Sequence, residues 1–355
     1  MRLMNAFGDK AEHTILSATP DFGAREAIDA GVRVKFPTDA PSLTGKPSPA
    51  RYRQLARYMR GFDLVLTYNW GAMDAVGARR LFPRGCPPLI HAEDGFNSDE
   101  AVRLNWKRNL FRQLVLDTAY ALVVPSRRLA EIAWEYWHWP DATRISNGID
   151  VAAYAKPPRT SAIPDFKRQK GEVVIGTLAG LRSIKNLPRL VRAFATLPSN
   201  TRLVIVGEGP ERGVIETEAA RCGVSDRVHM PGFLANPHTY LGLFDIFALS
   251  SDSEQFPISV VEAMAASLPV VATDVGDIKA MLPAANQDFI LPLGDETAFA
   301  NALSHLVTMP ALCRSLGQAN REHAAATLDE KTMIQAYMNL YNDALSTVRN
   351  AKTLL

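Results

Sequence analysis

One stretch restricts the fold more than any other: Ser250-Ser251-Asp252-Ser253-Glu254-Gln255-Phe256-Pro257-Ile258-Ser259-Val260-Val261-Glu262-Ala263-Met264-Ala265-Ala266. A short apolar run, 246–249, precedes it and reads as a buried strand; a second, 269–272, follows it. Between them the pattern turns helical. Pro257 sets the first turn, because its fixed φ suits that position and the N–H it lacks would have no partner there. A strand that runs through a loop into a helix and on to another strand is the unit of open α/β sheets, whose ligands lie at the carboxyl ends of the strands. This unit carries two carboxylates, Glu254 in the loop and Glu262 in the helix. A helix start offers unpaired N–H groups and partial positive charge to a phosphate, whereas carboxylates accept hydrogen bonds from hydroxyls. A nucleotide sugar has both groups, and would place its diphosphate at the helix start and its hydroxyls on the acids. Two glutamates at this spacing also arise by chance on solvated surface; the strand, loop and helix around them give the pair its weight.

Glu254, seven residues, Glu262, then Ala263-Met264-Ala265-Ala266 and Leu268-Pro269-Val270-Val271-Ala272-Thr273 together resemble the signature of the retaining GT-B glycosyltransferases of family 4, the glycosyl transferases of group 1. The resemblance runs from Leu64 to Leu306 and is densest from Val173 to Leu282. It implies an α/β protein of the GT-B class, with two Rossmann-like domains whose parallel sheets face a cleft. It also implies transfer of a hexose from a nucleoside diphosphate sugar, of UDP or GDP type, to a hydroxyl of a glycan, lipid-linked or small-molecule acceptor, with retention at the anomeric carbon. Polysaccharide assembly is the setting the family suggests.

The strand–helix alternation runs twice, on either side of a segment rich in proline and positive charge (Pro157, Pro158, Pro164, Lys167, Arg168, Lys170). Residues 1–152 therefore read as an N-terminal acceptor domain, 172–330 as the nucleotide-sugar domain, and 331–355 as a helix that returns to the first. The 355 residues suffice for this, and a net charge of +2 argues against a dedicated nucleic-acid binder. Cys86, Cys222 and Cys313 are scattered, with neither metal-ligand spacing nor an even disulfide set, which favours a reducing cytoplasm. No apolar run approaches the roughly 20 residues of a membrane span, and the expected place is the cytoplasm, with attachment to the inner membrane face left open.

Residues 1–7 read as an amphipathic helix and 13–17 as a strand. The opening strand and glycine-rich turn expected of such a domain do not precede them, so the chain reads as starting late, with that strand missing; the other reading is that another segment fills the place. Pro88-Leu89-Ile90-His91-Ala92-Glu93-Asp94-Gly95 reads as a strand ending in a histidine and two acids. The resemblance puts His91 on the transferred sugar, while Glu93 and Asp94 either bind acceptor hydroxyls or cap the next helix. Residues 101–118 form a strong helical pattern with Leu104, Leu110, Phe111 and Leu114 as a core stripe and Arg103, Lys107, Arg108 and Arg112 as a solvated face; a peripheral membrane contact through the basic face is the alternative. Trp134, Tyr136, Trp137 and Trp139 read as core at a domain edge, or as a stacking surface.

In the second half, Ala179-Gly180-Leu181-Arg182-Ser183-Ile184-Lys185-Asn186 follows a strand, and a basic pair beside a glycine turn suits a diphosphate. Lys185 matches the family's lysine, whereas Arg182 stands one place beyond the family's arginine, where this chain has Leu181. Gly207, before Glu208 and Gly209, follows another strand and lies near the nucleotide; the resemblance implies that the loop of Gly232 and Phe233 borders the base. The resemblance then assigns Glu262 to the ribose hydroxyls, Lys185 and Arg182 to the leaving diphosphate, and Glu254 with the N–H groups of Phe256 and Ile258 to the sugar, Pro257 having none to give. No cofactor or metal is called for, since the cations and the helix dipole can carry the phosphate charge. A GT-B epimerase or phosphorylase, and an inactive nucleotide-sugar-binding module, are the other readings of the same architecture.

Overall fold

The computed structural model describes residues 1–18, 23–96, 100 and 104–353. The strands are β1 (Glu12–Thr14), β2 (Arg33–Lys35), β3 (Val65–Tyr68), β4 (Leu89–Ala92), β5 (Ala121–Val124), β6 (Thr143–Arg144), β7 (Val173–Leu178), β8 (Thr201–Val206), β9 (Val228–Gly232), β10 (Ile246–Leu249), β11 (Val270–Thr273) and β12 (Ile290–Leu291). Every pairing among them is parallel. The chain divides into two compact units, residues 1–145 with 333–355, and residues 146–332.

In the first unit, β3-β4-β5-β6 form a four-stranded sheet, and β1 and β2 pair only with each other among the described residues. The sheet is covered on both faces. One face meets the helices Pro49–Met59, Met73–Leu81 and Arg127–Trp137; the other takes Tyr341 and Ala344 of the helix Glu330–Thr353. β4 and β5 are consequently buried at every position, as parallel strands between two helical layers must be. Serine hydroxyls start two of the helices: Ser48 accepts from the N–H of Arg51, and Ser126 from that of Leu129.

The helix Trp106–Val115 meets the sequence expectation in part: Leu104, just before it, and Phe111 pack against the core. Leu110 and Leu114, expected in the core, are exposed, and Arg112, expected in solvent, is fully buried. A buried carboxylate, Glu93, holds the guanidinium inside, accepting from it at 2.7 Å. Arg103 lies outside the described residues. The aromatic cluster beyond divides: Trp137 is buried, while Trp134 and Tyr136 are exposed.

The second unit holds a six-stranded sheet in the order β12-β11-β10-β7-β8-β9. Successive strands run outward from β7 to β9 in one direction and from β10 to β12 in the other. The order therefore reverses between β7 and β10, and the loops leaving their carboxyl ends flank that switch point. Residues 152–171, read from composition as a linker, instead pack on this unit. Ile163 and Phe166 are buried in its core, and the Arg168 guanidinium donates to Asp245 at 2.6 Å. Proline and surface charge dominated that composition and hid two apolar anchors. No helix among the described residues is long and apolar enough to cross a membrane.

Candidate functional site

The loop after β7 (179–186) and the loop after β10 (250–257) are laced together. The N–H of Asp252 donates to the carbonyl of Ile184 at 2.8 Å, and the Ser250 hydroxyl to the carbonyl of Lys185 at 3.0 Å. Arg189 reaches from the following helix to the Ser250 carbonyl (3.0 Å) and the Asp252 carboxylate (2.8 Å). The Asn186 amide donates to both Asp252 oxygens, at 3.1 and 3.2 Å. These bonds leave little freedom in the backbone carrying Lys185 and Glu254.

The two side chains meet. Lys185 Nζ lies 2.5 Å from Glu254 Oε1, which also accepts from the Ser251 hydroxyl at 2.7 Å. Only 18% and 10% of the two side chains is exposed, so the pair sits in a partly dehydrated place where each charge counts for more than in water. Both bonds converge on Oε1, which leaves Oε2 for an outside donor, and an ammonium has three N–H bonds to give.

The helix Ile258–Ala265 starts beside Glu254, with Pro257 (φ −68°) as its flanking residue rather than its first turn, one place earlier than the sequence suggested. Of its first-turn N–H groups, that of Val260 donates to the Pro257 carbonyl at 3.1 Å, which leaves those of Ile258 and Ser259 without an acceptor in the helix. Phe256 is tucked into the core, and Ile258 is 38% exposed. Glu262 is half-buried on the second turn. Tyr240 is driven well above its usual range, first by burial and then by the charge of Glu262.

Glycines let the neighbouring loops close in. Gly180 is in the loop after β7, Gly207 directly after β8 and Gly232 at the end of β9. At Gly207 (φ 146°) a Cβ would stand 1.8 Å from the carbonyl oxygen of Ala179, so only glycine admits this approach of the β7 and β8 loops. The N–H of Gly207 donates to the carbonyl of Gly232 at 2.9 Å, and Phe233 beyond it is 73% exposed. Arg182 is exposed beside Gly180, while Leu181 goes down into the core. The one-place displacement of the arginine thus leaves its guanidinium over Gly180 and not in the core.

Sequence reasoning missed three supports. Ser251 was seen only as part of a serine-rich loop, and the Asn186–Asp252–Arg189 lacing needed the fold. The third is Gly276 (φ 59°), where a Cβ would come within 2.3 Å of the Glu254 carbonyl oxygen and 2.8 Å of that of Gln255. Gly276→Ala is therefore expected to cost about 1–3 kcal/mol in chemical unfolding, since the strained backbone and the Glu254 loop cannot both keep their places. Gly213→Ala, in a helix with open space around it, is the matched control and should be neutral or slightly stabilising. Equal costs at the two positions would show that the close approach at Gly276 is not a constraint.

His91, which the resemblance puts on a sugar, lies inside the first unit. The side chain is 0% exposed, Nε2 lies 3.0 Å from Glu93 Oε2, and Nδ1 lies 2.9 Å from the Thr67 hydroxyl. Both ring nitrogens are spent inside the first unit, because β4 is a central strand covered on both faces. Glu93 is closed off as well, its other oxygen accepting from Arg112 at 2.7 Å. Burial pushes the Glu93 carboxyl up, but the hydrogen bond from His91 and the charge of Arg112 outweigh it and hold the group below the usual carboxylate range. What the strand end exposes is Asp94, whose N–H donates to Asn69 Oδ1 at 2.7 Å.

Comparisons with known proteins give the family and the fold. A family model described as "Glycosyl transferases group 1" matches residues 159–323, and one described as "Glycosyltransferase Family 4" matches residues 2–153. N-acetyl-alpha-D-glucosaminyl L-malate synthase of Bacillus anthracis is 27% identical over 214 residues, 60% of this chain and 56% of that protein, so this chain spans little more than half the length of that relative. The GDP-mannose-dependent alpha-mannosyltransferase of Mycobacterium tuberculosis is 27% identical over 301 residues, 79% of this chain and 75% of its own. Among solved structures, the sucrose-phosphate synthase of Thermosynechococcus elongatus superposes with a TM-score of 0.78 over 98% of this chain and 92% of that one, at 20% identity, a likeness of fold.

Proposed function

Because this chain belongs to the family 4, group 1 glycosyltransferases, with the GT-B fold, we propose that it moves a hexose from a nucleoside diphosphate sugar to an acceptor hydroxyl with retention at the anomeric carbon. The observation that carries the reading is the Lys185–Glu254 pair at the strand-order switch, beside the start of the 258–265 helix. The bond from the sugar's C1 to the diphosphate oxygen breaks, and a bond from C1 to the acceptor oxygen forms. The acceptor's proton passes to the departing phosphate, so no protein base is assigned. Lys185, with Arg182 beside it, meets the charge that grows on the diphosphate. The N–H groups of the helix start add to that field. Glu254 Oε2 and the N–H groups of Phe256 and Ile258 hold sugar hydroxyls, and Glu262 takes the ribose hydroxyls. Gly180, Gly207, Gly232 and Phe233 shape the nucleotide's bed.

The donor is of UDP or GDP type, the acceptor a glycan, a lipid-linked sugar or a small molecule, and the reaction is placed in the cytoplasm, where such donors are made. Titration calorimetry of the wild type with UDP, GDP and ADP tests the donor site and names its base. One of the three should bind at micromolar concentration, and Glu262→Ala should weaken it by about 1–3 kcal/mol, the scale for unpairing a buried polar group. Binding unchanged by Glu262→Ala removes the ribose assignment, and no binding of any of the three removes the donor site.

A further inference from the structure

The helix Trp106–Val115 packs Phe111 and Val115 on the core and leaves a second apolar stripe outward. Trp106 is 68% exposed, Leu110 46% and Leu114 59%. Spaced four apart, they form one stripe along the helix, while Arg112 on the opposite side is fully buried. A helix that served only as a lid on this core would place those side chains the other way round. A further exposed aromatic, flanked by the exposed acids Glu131 and Glu135, stands on the neighbouring helix Arg127–Trp137. The Gln113 amide lies 2.6 Å from the ring of His138, at that helix's end, and one turn before His138 stands Trp134, 65% exposed. Contiguous exposed apolar side chains of this size on one face mark an interaction site.

Charge says what covers it. Lys107 sits beside the stripe, its ammonium 5.7 Å over the Trp106 ring, and Arg80 borders the far end, its Nε 3.3 Å from the carbonyl of Leu114 and shared with Asp117. The unit that bears the stripe holds 22 basic and 17 acidic residues, whereas the other unit holds 17 and 20. Tryptophan and leucine flanked by lysine and arginine suit the boundary between anionic headgroups and acyl chains. We propose that this face docks on an anionic membrane surface, with Trp106, Leu110, Leu114 and Trp134 entering the acyl boundary and Lys107 and Arg80 meeting lipid phosphates. Attachment is thus through this outward stripe, while Phe111, Val115 and the central cation, Arg112, are committed inside the protein. The inference rests on the placement of these side chains and not on the donor site.

Flotation of the full chain with vesicles of phosphatidylglycerol and phosphatidylcholine, and with vesicles of phosphatidylcholine alone, tests it. The wild type should float with the anionic vesicles, less so as salt is raised, and much less with the neutral ones. The triple variant Trp106→Ser, Leu110→Ser, Leu114→Ser should need at least about tenfold more lipid for half binding, and Lys107→Glu about fivefold more. Both should keep the wild-type melting temperature and nucleotide affinity, because every replaced side chain is exposed. A wild type that stays below the anionic vesicles, or a triple variant that floats as well as the wild type, overturns the proposal. So does a wild type that self-associates in solution and is made monomeric by the triple substitution, which would give the face to a second copy of the chain.

Discussion

Lys185→Ala should lower kcat by about 10²–10³ while leaving nucleoside affinity largely intact, the loss typical of removing one group aimed at a developing negative charge. Lys185 is held at the strand-order switch by a short turn, Ser183–Lys185, whose backbone is pinned to the β10 loop through Ile184 and Lys185 themselves. The ammonium spends its resting interaction on Glu254. As the C1–oxygen bond of the donor breaks, a further negative charge grows on the diphosphate, and the same ammonium can follow it without moving the loop. The interaction is stronger in the transition state than in the ground state, so the loss falls on kcat more than on KM. Lys185→Arg should restore only part of the rate, since a planar fork does not replace a point charge beside a single carboxylate oxygen. Arg182→Ala should cost less, about fivefold, because Arg182 is exposed and screened. The assay is consumption of the nucleotide sugar whose base the calorimetry selects. Turnover of Lys185→Ala within threefold of the wild type would move the diphosphate elsewhere.

The residues around this site were readable because their signals are local. Strand 246–249, the loop and the helix follow one another in sequence, and the parallel sheet that joins them is implied by their alternation. The pairing of Lys185 with Glu254, 69 residues apart, was not readable as a bond. Both had been placed near the donor by separate arguments, and the strand order then put their loops side by side. The burial of His91 was not readable, for the opposite reason. Its position near a strand's carboxyl end is a local fact, but its burial depends on β3 and β5 on either side and on helices from distant sequence. The inward face of helix 106–115 was hidden in the same way: a periodic pattern shows two faces and does not say which is inward once a buried carboxylate competes for the cation. The 152–171 segment shows how composition averages can hide two core side chains, Ile163 and Phe166.

That buried cation supports the other large expectation: Arg112→Met should destabilise the first unit by about 3–5 kcal/mol, the scale for leaving a buried charge without its partner. Arg112 Nη2 holds Glu93 Oε1 at 2.7 Å, and the guanidinium lies 4.9 Å from the Trp137 ring, 5.1 Å from Trp70 and 5.6 Å from Phe96. Methionine fills much of the volume, so the loss is electrostatic rather than a cavity. The sign of the pH dependence separates the two. In the wild type the Glu93 carboxyl lies below its unfolded value, so its contribution is present above that value and is lost as the pH falls through the folded pKa. Without Arg112, burial is opposed only by His91 and the carboxyl rises. The variant then favours the protonated acid, and its deficit should shrink as the solution is acidified. Urea unfolding at several pH values, with Glu93→Gln added to Arg112→Met, decides it. The double variant removes both members of the 2.7 Å pair, while Glu100, 3.6 Å from Arg112, keeps its bond from Arg108; part of the loss should be recovered even at neutral pH. A deficit that stays constant with pH and is not relieved by Glu93→Gln would mean that Arg112 stabilises the unit through its stacking on the three aromatic rings, and not through Glu93.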